Sequence, residues 1–427
     1  MRSRSLAVLL AAALCGLLPS LAEARSGPCL LSGSGPRCTV WTGKVVAVGD
    51  GDTIDVDVDG DRRSRPVRVR ITGIQAMEQS VYSRQASRRR GECHALAATA
   101  RLEQLLRAGG NRVRLAAHDP RSRSGSRMRR SVAVRYRGGW RDVGRILVAE
   151  GHALWLPHSR EWAWNEQYAL LAERASDAGE NLWSPDGCGE GPSPDANVRV
   201  WVNWDADGRD DRNVNGEWVT IRNLDPLAAL PLAGWWLRDS HLRRFTFPRR
   251  TVVPAGGEVT VYMGSGRATG SDYFWGLRFP AFENATRDQR AMGDGAYLFD
   301  PQGDLRFWMT YPCRDECHDA NEGAIELRAQ PQRPEAVTLR NQSAFSVDLE
   351  GYRLESPPYG YAFGADSVLE PGETMRVEIG DSQEEDGRLL KHWRTGRFIL
   401  DDAGDRVRLA TFDGIALACA AWGSASC

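Results

Sequence analysis

A chain of 427 residues, with 55 Lys+Arg against 56 Asp+Glu, is long enough for more than one domain at about 100–200 residues each. Hydrophobic residues at 42% and charged residues at 26% exclude wholesale disorder, a collagen and a multispan membrane protein. The near-neutral total hides a division, because residues 1–190 hold 29 Lys+Arg and 20 Asp+Glu and the remainder holds 26 and 36. A basic part joined to an acidic part points to two jobs, the first facing a polyanion. Lys44 and Lys391 are the only lysines, and a genome rich in G and C accounts for that equally well.

Arg2 and Arg4 precede an apolar run from Leu6 to Leu18, and Ala22-Glu23-Ala24 offers a small-x-small cleavage site. We read residues 1–24 as a cleaved secretion signal, which makes the mature chain secreted or periplasmic. The run is shorter than the ~20 residues of a spanning helix, and no later segment is long enough, so no transmembrane anchor is expected. Leu14 is too bulky to mark Cys15 for lipid modification. Setting Cys15 aside leaves an even number of cysteines in an exported chain, which favours disulfides. Spacing pairs Cys29 with Cys38, Cys313 with Cys317 and Cys419 with Cys427, leaving Cys93 for Cys188. Cys313, Cys317 and His318 also read as part of a zinc site, but no fourth ligand is evident.

Residues 25–39 read as a loop. Ile54, Val56 and Val58 alternate with aspartates, Gly60-Asp61 turns the chain, and Val67, Val69 and Ile71 alternate with Arg68, Arg70 and Thr72. Such period-two patterning describes two half-buried antiparallel strands. Residues 95–106, rich in Ala, Leu, Glu and Arg and stopped by Gly109-Gly110, read as a helix. Val132, Val134 and Tyr136 mark another strand, and 162–178 a second long helix. Gly and Pro make 189–194 a linker.

Beyond it the texture is short strands and turns, with an internal repeat. Glu217-Trp218-Val219-Thr220-Ile221-Arg222-Asn223 returns as Glu335-Ala336-Val337-Thr338-Leu339-Arg340-Asn341, 232–237 returns as 349–354, and Gly293-Asp294 is echoed by Gly404-Asp405. The period suits tandem β-sandwich domains, 195–325 and 326–427.

The run from Val45 through Asp50-Gly51-Asp52-Thr53 enters the first hairpin and sets two carboxylates about a glycine. Asp52 shares the parity of Ile54, so it faces the apolar side. Arg70, Gln75 and Glu78 stand at the end of the second strand. A carboxylate here is a candidate ligand for calcium, which wants several hard oxygens, and an arginine beside it can grip a phosphate with two nitrogens. The plainer reading is an Asp/Gly-rich turn with a solvated acidic face.

Residues 40–188 resemble the staphylococcal (thermonuclease-like) nuclease family. The resemblance is carried by Asp-Gly-Asp-Thr at 50–53 and Arg-Val-Arg-Ile-Thr-Gly-Ile-Gln-Ala-Met-Glu at 68–78, supported by the Arg-rich stretch 121–130 and Asn181-Leu182-Trp183. It implies an α+β OB-type five-stranded barrel with packed helices, cleaving DNA and RNA with calcium (Ca2+). In that frame Asp52 ligates the ion, Asp50 stands behind it, Arg70 and Arg130 hold the phosphate (Arg129 being the rival), and Glu78 activates water. Gln75 stands where a second calcium carboxylate is expected, and Met77 replaces a proline, loosening the loop that aims Glu78. Arg121, Arg123 and Arg127 would follow the nucleic-acid backbone or sit in a solvated loop; Trp155, Trp162 and Trp164 would stack bases or pack the core.

The second half resembles the lamin-tail family of immunoglobulin-like sandwiches, through the run 213–223 and Ala233-Gly234-Trp235, with a diverged second copy. Its Asp205–Asp211 loop offers carboxylates but no distal glutamate, so it reads as a solvated loop. Two functions follow: a secreted calcium-dependent nuclease indifferent to sequence, or a nucleic-acid-binding or surface-interaction protein whose site no longer cuts, the tails facing a cell-surface or matrix partner. Asp52, Arg70 and Glu78 favour the first, Gln75 and Met77 the second.

Overall fold

The computed structural model describes residues 24–79, 92–189, 191–285 and 292–427. The expected signal, apart from Ala24, lies outside the described residues.

The first unit is built from β1 (Arg25–Pro28), β2 (Arg37–Asp50), β3 (Thr53–Val58), β4 (Val67–Ile71), β5 (Ile74–Gln75), α1 (Ala95–Ala108), β6 (Arg112–Ala117), β7 (Arg123–Ser124), β8 (Arg127–Tyr136), β9 (Gly139–Asp142), α2 (Val143–Ala149), β10 (Leu154–Trp155) and α3 (Asn165–Asp177). The alternation in the first hairpin acts as expected: Ile54 lies opposite Val69 and Val56 opposite Val67, all four turned to one side. Ile54, Val56 and Val69 are fully buried there, in a core shared with α1. Helix α1 buries Ala95, Ala98, Thr99, Leu102, Leu105 and Leu106, a 3–4 spacing that keeps one stripe inward. The expected helix over 162–178 is divided, a 3₁₀ turn at Ser159–Trp164 leading into α3. The 25–39 stretch holds β1, paired with β2 and clipped by Cys29–Cys38.

The expected five-stranded OB-type barrel is corrected to an eight-stranded sheet in the order β1-β2-β3-β4-β8-β6, with β7 and β9 added to β8 and β2 bonded to β6 as well as to β3. The length of β2, 14 residues, lets it serve β1, β3 and β6 at once. Gly51 is required by close approach, since a Cβ there would lie 2.7 Å from that of Ala76 and 2.8 Å from that of Ala98 on α1.

Two β-sandwiches follow. In the first, strands Val198–Asn203, Trp218–Asn223, Glu258–Tyr262 and Asp272–Phe274 form one sheet, and Arg244–Thr246, Trp236–Arg238, Asp294–Phe299 and Leu305–Tyr311 the other. The second repeats that order from Ile325–Gln330 to Ala416–Ala421, each with one parallel pair. The repeat has a physical core: Glu217 accepts the backbone N–H groups of Ala281 and Phe282 at 2.8 and 3.2 Å, and Glu335 those of Ile399 and Leu400 at 2.8 and 3.0 Å. The linker is tethered, because the carbonyls of Pro192, Ser193 and Pro194 accept from the buried Arg306.

The first unit docks on the first sandwich through Met77, Leu154, Ala175, Leu182 and Trp183, packed with Trp236, Tyr297, Phe299 and Leu305. All four expected cysteine pairs are disulfides. Cys93–Cys188 closes the longest loop, with a sequence separation of 95. Replacing both by serine is expected to lower stability by about 2–4 kcal/mol. Urea unfolding of the paired variant measures this; an unchanged midpoint would show the clip to be idle.

Candidate functional site

The structure gathers Asp50, Asp52, Arg70, Gln75 and Glu78 where β2 and β4 end and β3 begins. Arg70 and Asp52, 2% and 1% exposed, meet with Nη1 2.7 Å from Oδ1. The same Oδ1 accepts from Thr53 Oγ1 at 2.9 Å, and Oδ2 accepts the Ala76 N–H at 2.9 Å. Arg70 Nη2 donates to the Ile74 carbonyl at 3.3 Å and to Gln75 Oε1. Gln75 Nε2 turns to the Ala76 carbonyl at 2.9 Å and to Glu78 Oε1 at 3.3 Å. Arg127 donates to Thr53 Oγ1 at 3.0 Å, which extends the chain of bonds outward.

Burial raises the Asp52 carboxyl above its ordinary value, with Arg70 as the chief opposing influence. Glu78 is raised by burial and then by Asp50, again against Arg70. The arrangement does not suit calcium, which needs 6–8 oxygens. Asp52 Oδ1 accepts from Thr53 and lies 2.7 Å from Arg70 Nη1, and Gln75 Oε1 faces the same guanidinium, so too few open oxygens converge to make up a calcium shell.

Met77 does not loosen a loop. It is 1% exposed, lodged in the contact with the first sandwich, with Sδ 3.6 Å from Nη1 of the buried Arg238. The residues departing from the nuclease pattern are thus packing residues: Gln75 closes the arginine and Met77 docks the next unit. Arg130 is not at the site. Its guanidinium lies 4.4 Å over the Trp41 ring and donates to the carbonyls of Arg129 and Pro120 at 2.6 and 2.8 Å. Arg129, the rival, stands opposite Arg70 in the β4–β8 ladder. Burial, Arg70 and Arg127 lower its pKa to about 10. Trp155 and Trp164 are core residues, and Trp162 packs edge-on to His118 at 5.1 Å. Outside the closed network, Asp50, Arg68, Glu78, Ser124, Gly125 and Arg127 border an open groove of about 500 Å³.

Among the described residues, three groups bring His, Cys, Asp or Glu atoms together: Cys93/His94/Cys188/Asp304, Glu173/Cys313/Cys317 and Asp239/His241/Asp294; the cysteines of the first two are disulfide-bonded and offer no thiolate. Asp50, Asp52 and Glu78 are not one of them. Residues 196–313 match the family model of the Lamin Tail Domain. No curated protein matches the chain. The nuclease-family reading of 40–188, its phosphodiesterase activity and its calcium site are therefore corrected: the family match is confined to the lamin-tail stretch, and the expected catalytic cluster is closed on itself. The second lamin-tail assignment is corrected too, since the match ends at 313 and does not reach 326–427, which shares the strand order and the buried glutamate.

In the lamin-tail unit the Asp205–Asp211 loop is no solvated loop. Asp205 pairs with the buried Arg353 at 3.2 Å, and Asp207 Oδ1 accepts from the Gly360 N–H and Trp393 Nε1 at 2.9 and 3.2 Å, latching the second sandwich. Glu217 of the same unit is pushed up to about 8 by burial, its two backbone donors opposing. A folded-state pKa above the unfolded ~4.3 means that this group's contribution is full below about pH 4 and is lost as pH rises through about 8. Glu217→Gln should therefore match wild type in thermal stability near pH 5 and exceed it above pH 8. Parallel Tm profiles for the two proteins would refute the burial argument.

Proposed function

We propose that this chain is an exported, non-hydrolytic interaction protein whose basic first unit holds the phosphate backbone of nucleic acid. Its sandwiches, in this reading, face a surface or matrix partner. The observation that carries it is the circuit Asp52–Arg70–Gln75, in which protein donors take up both Asp52 oxygens and the Gln75 amide oxygen, with Arg70 Nη1 held 2.7 Å from Asp52. The charge division supports it, as do Arg68, 57% exposed, and Arg127 on the open groove, with the exposed Arg123 in the strand next to it. Phosphate contacts of this kind need positive charge and reach rather than a shaped site, and they carry no sequence preference.

Fluorescence anisotropy with labelled DNA and RNA oligonucleotides tests this. Binding with a Kd of ~10⁻⁶–10⁻⁴ M that weakens steeply with salt is expected. Arg68→Gln with Arg127→Gln should flatten the salt dependence, and plasmid should stay uncut with calcium or with chelator. Calcium-dependent cutting would overturn the reading. Failure to bind at low salt would leave the sandwiches alone as the interacting part.

A further inference from the structure

The lamin-tail unit holds a second constellation, remote from Asp52 in sequence. Asp239 and His241 follow the strand Trp236–Arg238, and Asp294 opens the strand Asp294–Phe299 that pairs with it. One ligand atom from each lies within 4.8 Å of the others. Asp239 and Asp294 are fully buried, while the His241 side chain is 23% exposed and gives a way in. Asp294 Oδ1 accepts the Ser240 and Gly295 N–H groups at 3.1 and 2.7 Å. Among the described residues, its Oδ2 and His241 Nδ1 have no hydrogen-bond partner. These two atoms face each other at 3.8 Å, too far for a hydrogen bond. Ligands ~2.0–2.2 Å from a tetrahedral ion lie about 3.4 Å apart, so a small closure admits one.

The surroundings hold these groups in place. Asp239 Oδ1 accepts the N–H groups of His241 and Arg243 at 3.0 and 2.9 Å, and Arg243 Nη1 bonds Oδ2. With two N–H groups on Oδ1, Asp239 would ligate through Oδ2, whose remaining lone pair lies beside Arg243, and the outer bonds fix its orientation. Glu283 is near enough for its charge to be felt by both His241 and Asp294. The second sandwich is the internal contrast. Continuing the repeat puts Ser356 in the place of Asp239 and Pro358 in that of His241, while Asp405 echoes Asp294. There Asp405 Oδ2 accepts Ser356 Oγ at 3.1 Å and Oδ1 accepts the Arg406 N–H at 2.7 Å. Where the histidine and the second aspartate are missing, a hydroxyl closes the carboxylate; where they are present, it stays open.

We infer that Asp239, His241 and Asp294 bind a divalent transition-metal ion of the zinc class. One imidazole nitrogen with two carboxylate oxygens suits that class better than calcium or magnesium, which prefer oxygen alone. The ion would tie together two neighbouring strands of the sheet that carries Trp236, Tyr297 and Phe299 to the first unit.

The test uses the full mature chain with its disulfides intact, stripped by chelator and titrated with Co2+ and then Zn2+. One equivalent of Co2+ should give visible d–d bands, and Zn2+ should abolish them and raise Tm. His241→Ala and Asp294→Asn should each weaken Co2+ binding by more than about tenfold, and Ser356→Ala should leave it unchanged. Absence of any band in the wild-type titration overturns the proposal, whether or not the variants fold. So does binding that persists in the His241→Ala/Asp294→Asn double variant. A thiol assay on the same sample finding Cys93 and Cys188 oxidised keeps the group beside His94 and Asp304 from supplying thiolate ligands.

Discussion

Asp52→Ala should lower stability by about 3–5 kcal/mol, more than any change at a merely solvated acidic turn. The substitution leaves the Arg70 guanidinium, 2% exposed, without its counter-charge and strips the Ala76 N–H of its acceptor. A buried charge that loses its partner carries its full desolvation cost, whereas an exposed one returns to water. Asp52→Asn keeps an oxygen for the Ala76 N–H and should fall between wild type and Asp52→Ala. Urea unfolding of the three proteins decides it. A loss under about 1 kcal/mol for Asp52→Ala would mean that water reaches the pair and that the circuit is not the structural unit described.

Trp183→Ala should cost about 3–5 kcal/mol and also change the character of unfolding. Trp183 is fully buried, with its ring 6.0 Å from Tyr297 and 5.1 Å from Trp308 across the junction of the first unit and the lamin-tail unit. Removing it opens a cavity in the contact that couples them. Calorimetry should show one transition for wild type and two for the variant. A single, uniformly shifted transition would place the coupling elsewhere, in the Cys93–Cys188 clip or the tethered linker. By the same argument, a fragment from Arg25 to Gly189 would expose Met77, Leu154, Leu182 and Trp183, and should be less soluble than the intact chain.

The calcium expectation failed on a matter of direction rather than of identity. Asp50, Asp52, Arg70, Gln75 and Glu78 do come together, because the hairpin register and the short β5 leave little freedom. Which atoms face inward is another matter. The sequence shows the charge that Gln75 lacks, while only the fold turns its oxygen to Arg70. Parity could not separate Arg129 from Arg130, because residues 130–134 of β8 are all buried; the parallel ladder with β4 sets Arg129 opposite Arg70. No local pattern links Asp239 and His241 to Asp294, because the first two lie far along the chain from the third.

What depends on near neighbours along the chain is legible in the order of residues. Period-two alternation makes the β3–β4 hairpin, one apolar stripe makes α1, close spacing makes three of the disulfides, and the returning Glu217 and Glu335 announce two sandwiches. These follow from backbone geometry and from apolar area leaving water, both readable over a few residues. Tertiary structure alone decided whether a carboxylate meets an arginine, an N–H or open space, and whether Met77 lies in a loop or in an interface. Charge pairing and burial depend on which distant segment arrives within a few ångströms, and nothing local in the chain encodes that distance.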